Sequence, residues 1–507
     1  MAKPFIHIDH KNGKQYASIY TPRRNNGKKV NDPQYLGRVI NKEKGIYHNK
    51  TKGTFTYTIE NGYTPYTPDP NNPQTQNNQK EEKLILDFGD AYTLYTALTK
   101  TGIHKLLHEL IPQQKDTLLS IIGYKLLSTT NANKYANDWY NGSYTNILYP
   151  KANLTSQRIS DFYQQIGDEK IQRQFFKNYL QHFYPNQQNI GVLIDSTGLP
   201  NDIHFPLTAL STHNGVTSNE SRLLLVVDQK TGIPLFFRYN AGNIVDVSTL
   251  RATIAELRAY QVHISHALID AGYYSEANIR LLYGEEDEAG CGVISFITRL
   301  GTNLKLYKTL LLEHGQDVVQ AKYMVMYRER LVYVKRVEVD LFGHGGFAYI
   351  VLDHARREEE VYKYAKSVLG LGEVDYGEMD VDLKFKGFCV LISSERVDVK
   401  EILSLYYLRQ MVEQVFDVSK NYADVLPLRV HSEDAFRGHL LLSFICSVVF
   451  LLLNRLLEGS VFCAGGVFVV LRNQKCKVFD DCILVKEPTR KVNEIYKKLG
   501  IDSPLRL

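Results

Sequence analysis

Two aspartates and a glutamate are the residues of this chain best suited to do chemistry. Asp195 ends the apolar run in NIGVLIDSTG (189–198), and Asp270 ends the one in VHISHALIDAGYYS (262–275). Each run reads as a buried strand, and open α/β sheets bind ligands outside the carboxyl ends of their strands. Glu413 comes much later, in YYLRQMVEQVFDVSK (406–420). On a helix, Tyr406, Arg409, Glu413 and Lys420 point within roughly 60° of one another. Ile402, Leu405, Leu408, Val412, Val415 and Phe416 form an apolar stripe beside this polar track. The track would run about 21 Å along a helix flank. A solvated helix face with an Arg409–Glu413 pair at i,i+4 accounts for the same spacing.

Three carboxylates are hard oxygen donors and suit Mg²⁺ or Mn²⁺ rather than zinc. Two such ions about 3.5–4 Å apart support in-line phosphoryl transfer, activating the attacking oxygen and stabilising the leaving one. An aspartate after an apolar strand also serves as a turn former or helix N-cap. Asp202, Asp228, Asp246 and Asp353 can be argued for on similar grounds, so spacing alone leaves the choice open.

The elements that must position these groups follow from composition and periodicity. At 507 residues the chain is too long for one ordinary core. Residues 1–60 hold 12 Lys+Arg against 4 Asp+Glu, and the remainder holds 48 against 51, so the basic character is N-terminal. A phosphate backbone or anionic surface fits that asymmetry. The same segment alternates polar and apolar residues and reads as short strands with basic turns; Arg23, Arg24, Lys28 and Lys29 are candidate contacts to such an anion. Residues 64–80 are rich in Pro, Asn and Gln and read as linker, and 85–185 is helical in period. From 190 short apolar strands alternate with helices, DQKTG marking a hairpin; 302–392 is strand-rich, and a long helix is expected over 396–422. The uncharged run LLLSFICSVVFLLLN (440–454) is short of a bilayer span and reads as a buried core helix. The six cysteines make no CxxC, none of the 15 histidines completes a zinc pattern, and MAKPFIHIDH lacks a signal-type apolar region. A cytoplasmic protein with reduced thiols and no membrane partner is expected.

Tyr406-x2-Arg409-x3-Glu413-x6-Lys420 matches the Y-x2-R-x3-E-x6-K signature of bacterial insertion-sequence DDE transposases of the "insertion sequence four" group. LIDSTG resembles that family's first-Asp segment, LIDAGYYSEANI its second, and TGIPLFFRYNAGNIVDVSTL the passage between them. GFCVLISS before the signature helix agrees too, so the resemblance covers roughly 190–455.

The resemblance implies an α/β fold, a ribonuclease-H-like catalytic core with a β-rich insertion; composition and period place a small basic β-rich domain and a helical domain before it. The expected boundaries are 1–63 (basic β-rich, candidate DNA binding), 64–83 (linker) and 84–186 (helical). The core would occupy 187–301 and 393–460, with the insertion at 302–392 and a candidate dimerisation region at 461–507. It makes Asp195, Asp270 and Glu413 the catalytic triad, holding two Mg²⁺ with Mn²⁺ as substitute. Tyr406, Arg409 and Lys420 become DNA contacts near the cleaved phosphate. The implied partners are double-stranded DNA, as terminal inverted repeats and target, and a second copy of the chain in the DNA complex. The implied reaction cuts the element ends and joins the 3′-hydroxyls to target DNA. Alternative readings are a metal-dependent nuclease of this fold without strand transfer, or a catalytically silent DNA-binding protein. Some relatives stack an insertion-domain Trp on a flipped base; the only tryptophan here is Trp139, leaving Tyr323, Tyr327 or Phe342 as substitutes.

Overall fold

The computed structural model describes residues 3–507 except 12–13, 26–27, 67–82, 131, 186–188, 202–206, 214–215, 245, 286–291, 371–374, 423–425, 427, 429 and 431. The linker expected over 64–83 lies almost wholly outside the described residues. The chain divides into two compact units, Met1–Glu81 and Glu82–Leu507.

The first unit is one antiparallel sheet in sequence order: β1 (Phe5–Lys11), β2 (Lys14–Asn25), β3 (Lys28–Asn41), β4 (Ile46–Asn49), β5 (Gly53–Thr58) and β6 (Gly62–Pro65). Its alternation is that of a half-buried sheet. Ala17, Ile19, Leu36, Tyr47 and Phe55 are its buried cluster.

In the second unit, β7 (Leu84–Asp87) precedes a helical region: α1 (Gly89–Lys100), α2 (Ile103–Leu110), α3 (Lys115–Leu127), α4 (Ala136–Gly142), α5 (Thr145–Leu148), α6 (Ser156–Ile166) and α7 (Glu169–Phe183). The strands β8 (Ile190–Pro200), β9 (Ala209–His213), β10 (Val216–Asp228) and β11 (Pro234–Ala241) follow. Then come α8 (Leu250–Ala259), β12 (Ile264–Ile269), α9 (Glu276–Leu282) and β13 (Ser295–Arg299). Parallel pairing of β8, β12 and β13 accompanies the helical crossovers between them, as parallel strands require.

The region expected as a β-rich insertion departs from that expectation. It contains α10 (Lys305–His314), β14 (Met324–Tyr327), β15 (Arg330–Leu341), β16 (His344–Asp353), α11 (His354–Leu369), α12 (Tyr376–Leu383) and β17 (Phe388–Ser393). Its strands extend the central sheet, whose order is β11-β10-β8-β12-β13-β17-β16-β15-β14 with β9 on β10. The reason is β17, buried along its whole length and bonded on one edge to β13 and on the other to β16. The hydrophobic patterns of strand and helix are visible in sequence, but which sheet a strand joins depends on partners far away.

Three helices follow the sheet: α13 (Ile402–Tyr407), α14 (Gln410–Asn421) and α15 (Glu433–Leu456). α14 lies over β8 and β10, and α15 backs it while also touching α3, α6 and β11. α15 is long and apolar enough to cross a bilayer, yet 89% of its most hydrophobic window is buried inside the protein. It is therefore a core helix, longer than the run 440–454 suggested. The chain closes with α16 (Ala464–Leu471), β18 (Lys475–Val478), β19 (Ile483–Val485) and α17 (Arg490–Leu499), and β18 pairs back to β7.

Where α15 crosses α6, two glycines allow backbone contact. A Cβ on Gly438 would collide with the Tyr163 carbonyl oxygen, and one on Gly167 with that of Asp434. Arg437 Nε donates to the Gly167 carbonyl at 2.7 Å, locking the crossing. Gly438→Ala is expected to lower unfolding stability by about 1–3 kcal/mol through overpacking. Gly142→Ala, at an open helix position with nothing within 4 Å, should change it by only a few tenths. Equal melting temperatures for the two variants would contradict this account of the crossing.

Candidate active site

Sheet register, not proximity in the chain, brings the two aspartates together. The last parallel pair between β12 and β8 is Ile269 with Ile194, so Asp270 and Asp195 follow it side by side. β8 does not end at Asp195 as expected; it continues to Pro200 because β10 keeps pairing with it, Leu225 opposite Asp195 and Glu220 opposite Pro200. Asp195 thus sits within a strand, at the point where its parallel neighbour has stopped.

Both carboxylates meet one cation. Arg409 Nη1 donates to Asp195 Oδ2 at 2.8 Å and stands 3.2 Å from Asp270 Oδ1. Its Nη2 is 3.9 Å from Glu413 Oε1. Exposure rises outward across the group, from 14% at Asp195 and 20% at Arg409 to 60% at Glu413. Asp195 Oδ1 also accepts from the Ser196 backbone N–H at 2.8 Å, and the Thr298 hydroxyl donates to the Asp270 carbonyl at 3.3 Å. Burial alone works against the charged guanidinium, but Asp195 and Asp270 outweigh it and raise the Arg409 pKa. Among the described residues Arg409 is paired with all three acids, Asp195, Asp270 and Glu413.

The signature segment is not the single helix expected over 396–422. α13 starts at Ile402, and a tight joint at Leu408–Arg409 separates it from α14. There Arg409 N–H bonds to Tyr406 O at 3.2 Å and Val412 N–H to Arg409 O at 2.9 Å, three residues back in each case. Such bonds tighten the helix to the 3₁₀ form and rotate the residues on either side relative to each other. Stacking of Tyr327 on Tyr407, with centroids 5.4 Å apart, and a 3.2 Å bond from Arg328 to Gln410 Oε1 brace the joint from the strand side.

The joint changes the fate of the polar track. Tyr406, expected to face DNA, is 5% exposed, with its ring 5.9 Å from the Arg409 guanidinium; burial raises its pKa well above the ordinary phenol range. It underlies Arg409 instead of facing outward. Lys420 is half-buried and donates to Thr197 Oγ1 at 2.9 Å. Burial pushes its pKa down, against the opposing charges of Asp417 and Glu220. Arg409 and Lys420 thus tie the two ends of α14 to β8.

The other sequence candidates fall into structural roles. Asp228 accepts from Lys230 N–H, the Thr231 hydroxyl and the Tyr184 hydroxyl in the β10–β11 turn, and Asp353 caps α11. Asp202 and the side chain of Asp246 lie outside the described residues. Arg23 pairs with Asp32 at 2.9 Å, while the side chains of Arg24, Lys28 and Lys29 are also outside them. Tyr327 is buried in its stack with Tyr407, Phe342 lies 6.0 Å from the Tyr274 ring, and Tyr323 sits between Lys322 and Lys335. Trp139 packs on Tyr124. Sequence reading missed Thr197 and the buried Glu220, whose only signal is a charge opening an apolar strand.

Among the described residues no group of three His, Cys, Asp or Glu side chains is gathered closely enough to hold a metal ion. The donor chemistry still fits one: three carboxylates already converge on a single positive centre, and all their donor atoms are hard oxygens. Arg409→Gln is expected to destabilise the metal-free protein by about 2 kcal/mol, the scale of a lost charge-assisted bond. Millimolar Mg²⁺ should then raise the melting temperature of the variant more than that of the wild type. Indistinguishable melting curves with and without Mg²⁺ would show that the cluster does not depend on a cation.

No curated protein sequence matches the chain. Among solved structures it is similar to the piggyBac transposase in its cryo-EM synaptic complex with hairpin DNA, at 11% identity and a TM-score of 0.36. That alignment covers 62% of this chain and 57% of the other, so the chain spans little more than half of that structure's length. The family model described as the transposase DDE domain matches residues 186–449, just over half of the chain and a span that includes Asp195, Asp270 and Glu413. With its acids gathered from two adjacent strands and a helix, the chain belongs to the transposase DDE domain family.

Proposed function

We propose that this protein is a cut-and-paste DNA transposase of the insertion-sequence-four group, with Asp195, Asp270 and Glu413 as its catalytic acids. The observation that carries the reading is the convergence of these three residues, separated by up to 218 positions, on the Arg409 guanidinium. The family generally uses divalent metal ions. The finer reading of the fold, a ribonuclease-H-like core, rests on the resemblance and is supported by the mixed sheet that delivers two acids from adjacent strands.

In this reading Asp195, Asp270 and Glu413 hold two Mg²⁺, for which Mn²⁺ substitutes. Those ions supply Lewis-acid stabilisation of the attacking and leaving oxygens of an in-line displacement. Asp195, the least exposed acid and anchored by the Ser196 N–H, sets the position of the group. Glu413, at the rim and on a helix, has room to adjust as substrate arrives. Arg409 carries a bidentate donor fork of the kind that engages a phosphate, and Tyr406 beneath it limits the directions it can take. Lys420 adds positive charge at the far end of α14. The substrate is double-stranded DNA at the element's terminal inverted repeats and then the target, engaged by two copies of the chain.

The test is incubation of purified protein, wild type or Glu413→Gln, with a plasmid carrying this gene and its native flanking DNA, in Mg²⁺ or Mn²⁺. Cleavage at fixed positions on both flanks, with joining of the freed 3′ ends, is expected from the wild type. The variant should be slower by about 10²-fold or more, because transition-state charge stabilisation worth several kcal/mol is lost. Cleavage without joined products would favour a nuclease of the same fold. Metal-independent cleavage, or full activity in the variant, would remove the reading altogether.

A further inference from the structure

The first unit carries a surface that the active-site chemistry does not use. Antiparallel register fixes which residues share a face of its sheet. Phe5, Tyr20 and Pro33 stand in one row, His7, Ser18 and Tyr35 in the next, and Asp9, Tyr16, Arg38 and His48 in a third. The opposite face holds the buried cluster around Ile19, Leu36 and Phe55. Rows two residues apart lie about 6.8 Å from each other, and neighbouring strands about 4.8 Å.

This outer face is aromatic and open. Tyr35 is 57% exposed and Phe5 43%. Phe5 and Tyr20 are already stacked, with centroids 5.7 Å apart and planes 14° from parallel, and His7 meets Tyr20 edge-on. Charge frames the rings: Lys11, Lys14 and Arg38 are exposed on the same face, at positions set by the pairing Lys11↔Lys14 and Tyr16↔Arg38. The one acid there, Asp9, pairs with His7 at 3.2 Å. Across residues 1–60 the surplus is 12 cations over 4 anions.

A polyanion matches the charge, and only an unpaired base presents a ring face that could lie on these rings. In a duplex both faces of each base are covered by neighbouring pairs, so a duplex would use the cations and leave the aromatics idle. Stacking of bases on aromatic side chains beside a basic track is the physical basis of single-strand binding. We propose that the outer face of β1–β3 is a stacking platform for an unpaired stretch of DNA, with Tyr20 and Tyr35 as ring supports and Arg38 as a phosphate contact. The proposal rests on the DNA-acting reading above and adds a single-stranded ligand and its site.

The test measures anisotropy of labelled single-stranded and duplex oligonucleotides with the full chain at several salt concentrations. Tyr20→Ala and Tyr35→Ala should each weaken single-strand binding about tenfold, and Tyr→Phe at either position should retain it. Arg38→Gln should flatten the salt dependence. Duplex affinity should stay unchanged in the two alanine variants. Wild-type affinity for single strands in both alanine variants would overturn the platform and leave the transposase reading intact. Loss of duplex cleavage with intact single-strand stacking would do the reverse. A wild-type measurement guards against misfolded variants: photo-crosslinking of a 5-iodouracil single strand should label peptides within residues 5–38. Labels confined to residues 84–507 would refute the proposal.

Discussion

Three carboxylates drawn to one point repel one another, and this constraint organises the part of the protein that bears them. Two unit charges 4 Å apart interact by about 4 kcal/mol at the effective dielectric of a protein surface. A cluster of three therefore needs a cation. Arg409 supplies one from the same segment as Glu413, four residues earlier, so the helix that brings the third acid also brings the charge that lets the other two approach. The same guanidinium is the group best shaped to meet a phosphate. In the proposed reading, electrostatic balance and phosphate recognition thus rest on one side chain.

That side chain is only useful if α14 is held in register with β8. Val412, Val415 and Phe416 are buried beneath it, and Ser419 bonds to Ser447 of α15 at 2.9 Å. α15 is held in turn by its glycine crossing with α6, where no side chain fits between the backbones. A chain of rigid contacts therefore runs from the helical region through α15 to the acids. Such packing suits a site that must present charges at fixed separations.

The strands after residue 302 belong to this positioning system. By joining β13 through β17 they continue the central sheet, and through Tyr327 and Arg328 they brace the joint that turns Arg409 toward β8. Texture alone gave only a strand-rich region over 302–392, and the resemblance made it an insertion. The sheet's continuity instead ties a region distant from the acids in sequence to the side chain that balances them.

Sequence alone offered Asp195, Asp270 and Glu413 as candidates, together with the elements that bear them. Asp195 and Asp270 follow apolar runs, and Glu413 stands in a segment of helical period with a specific signature; strand and helix patterns are local, so they are legible without a fold. The basic N-terminal sheet and the buried nature of 440–454 were readable for the same reason. Only the tertiary structure decided that β8 runs on past Asp195, that the signature helix breaks at Leu408–Arg409, and that Tyr406 turns inward. Each of those outcomes depends on a distant partner: β10 for the strand, β14 and its turn for the joint, the core for the tyrosine. Periodicity describes a helix as if it were straight and alone. Where Arg409 points is decided by contacts made across more than 200 residues of chain, to Asp195.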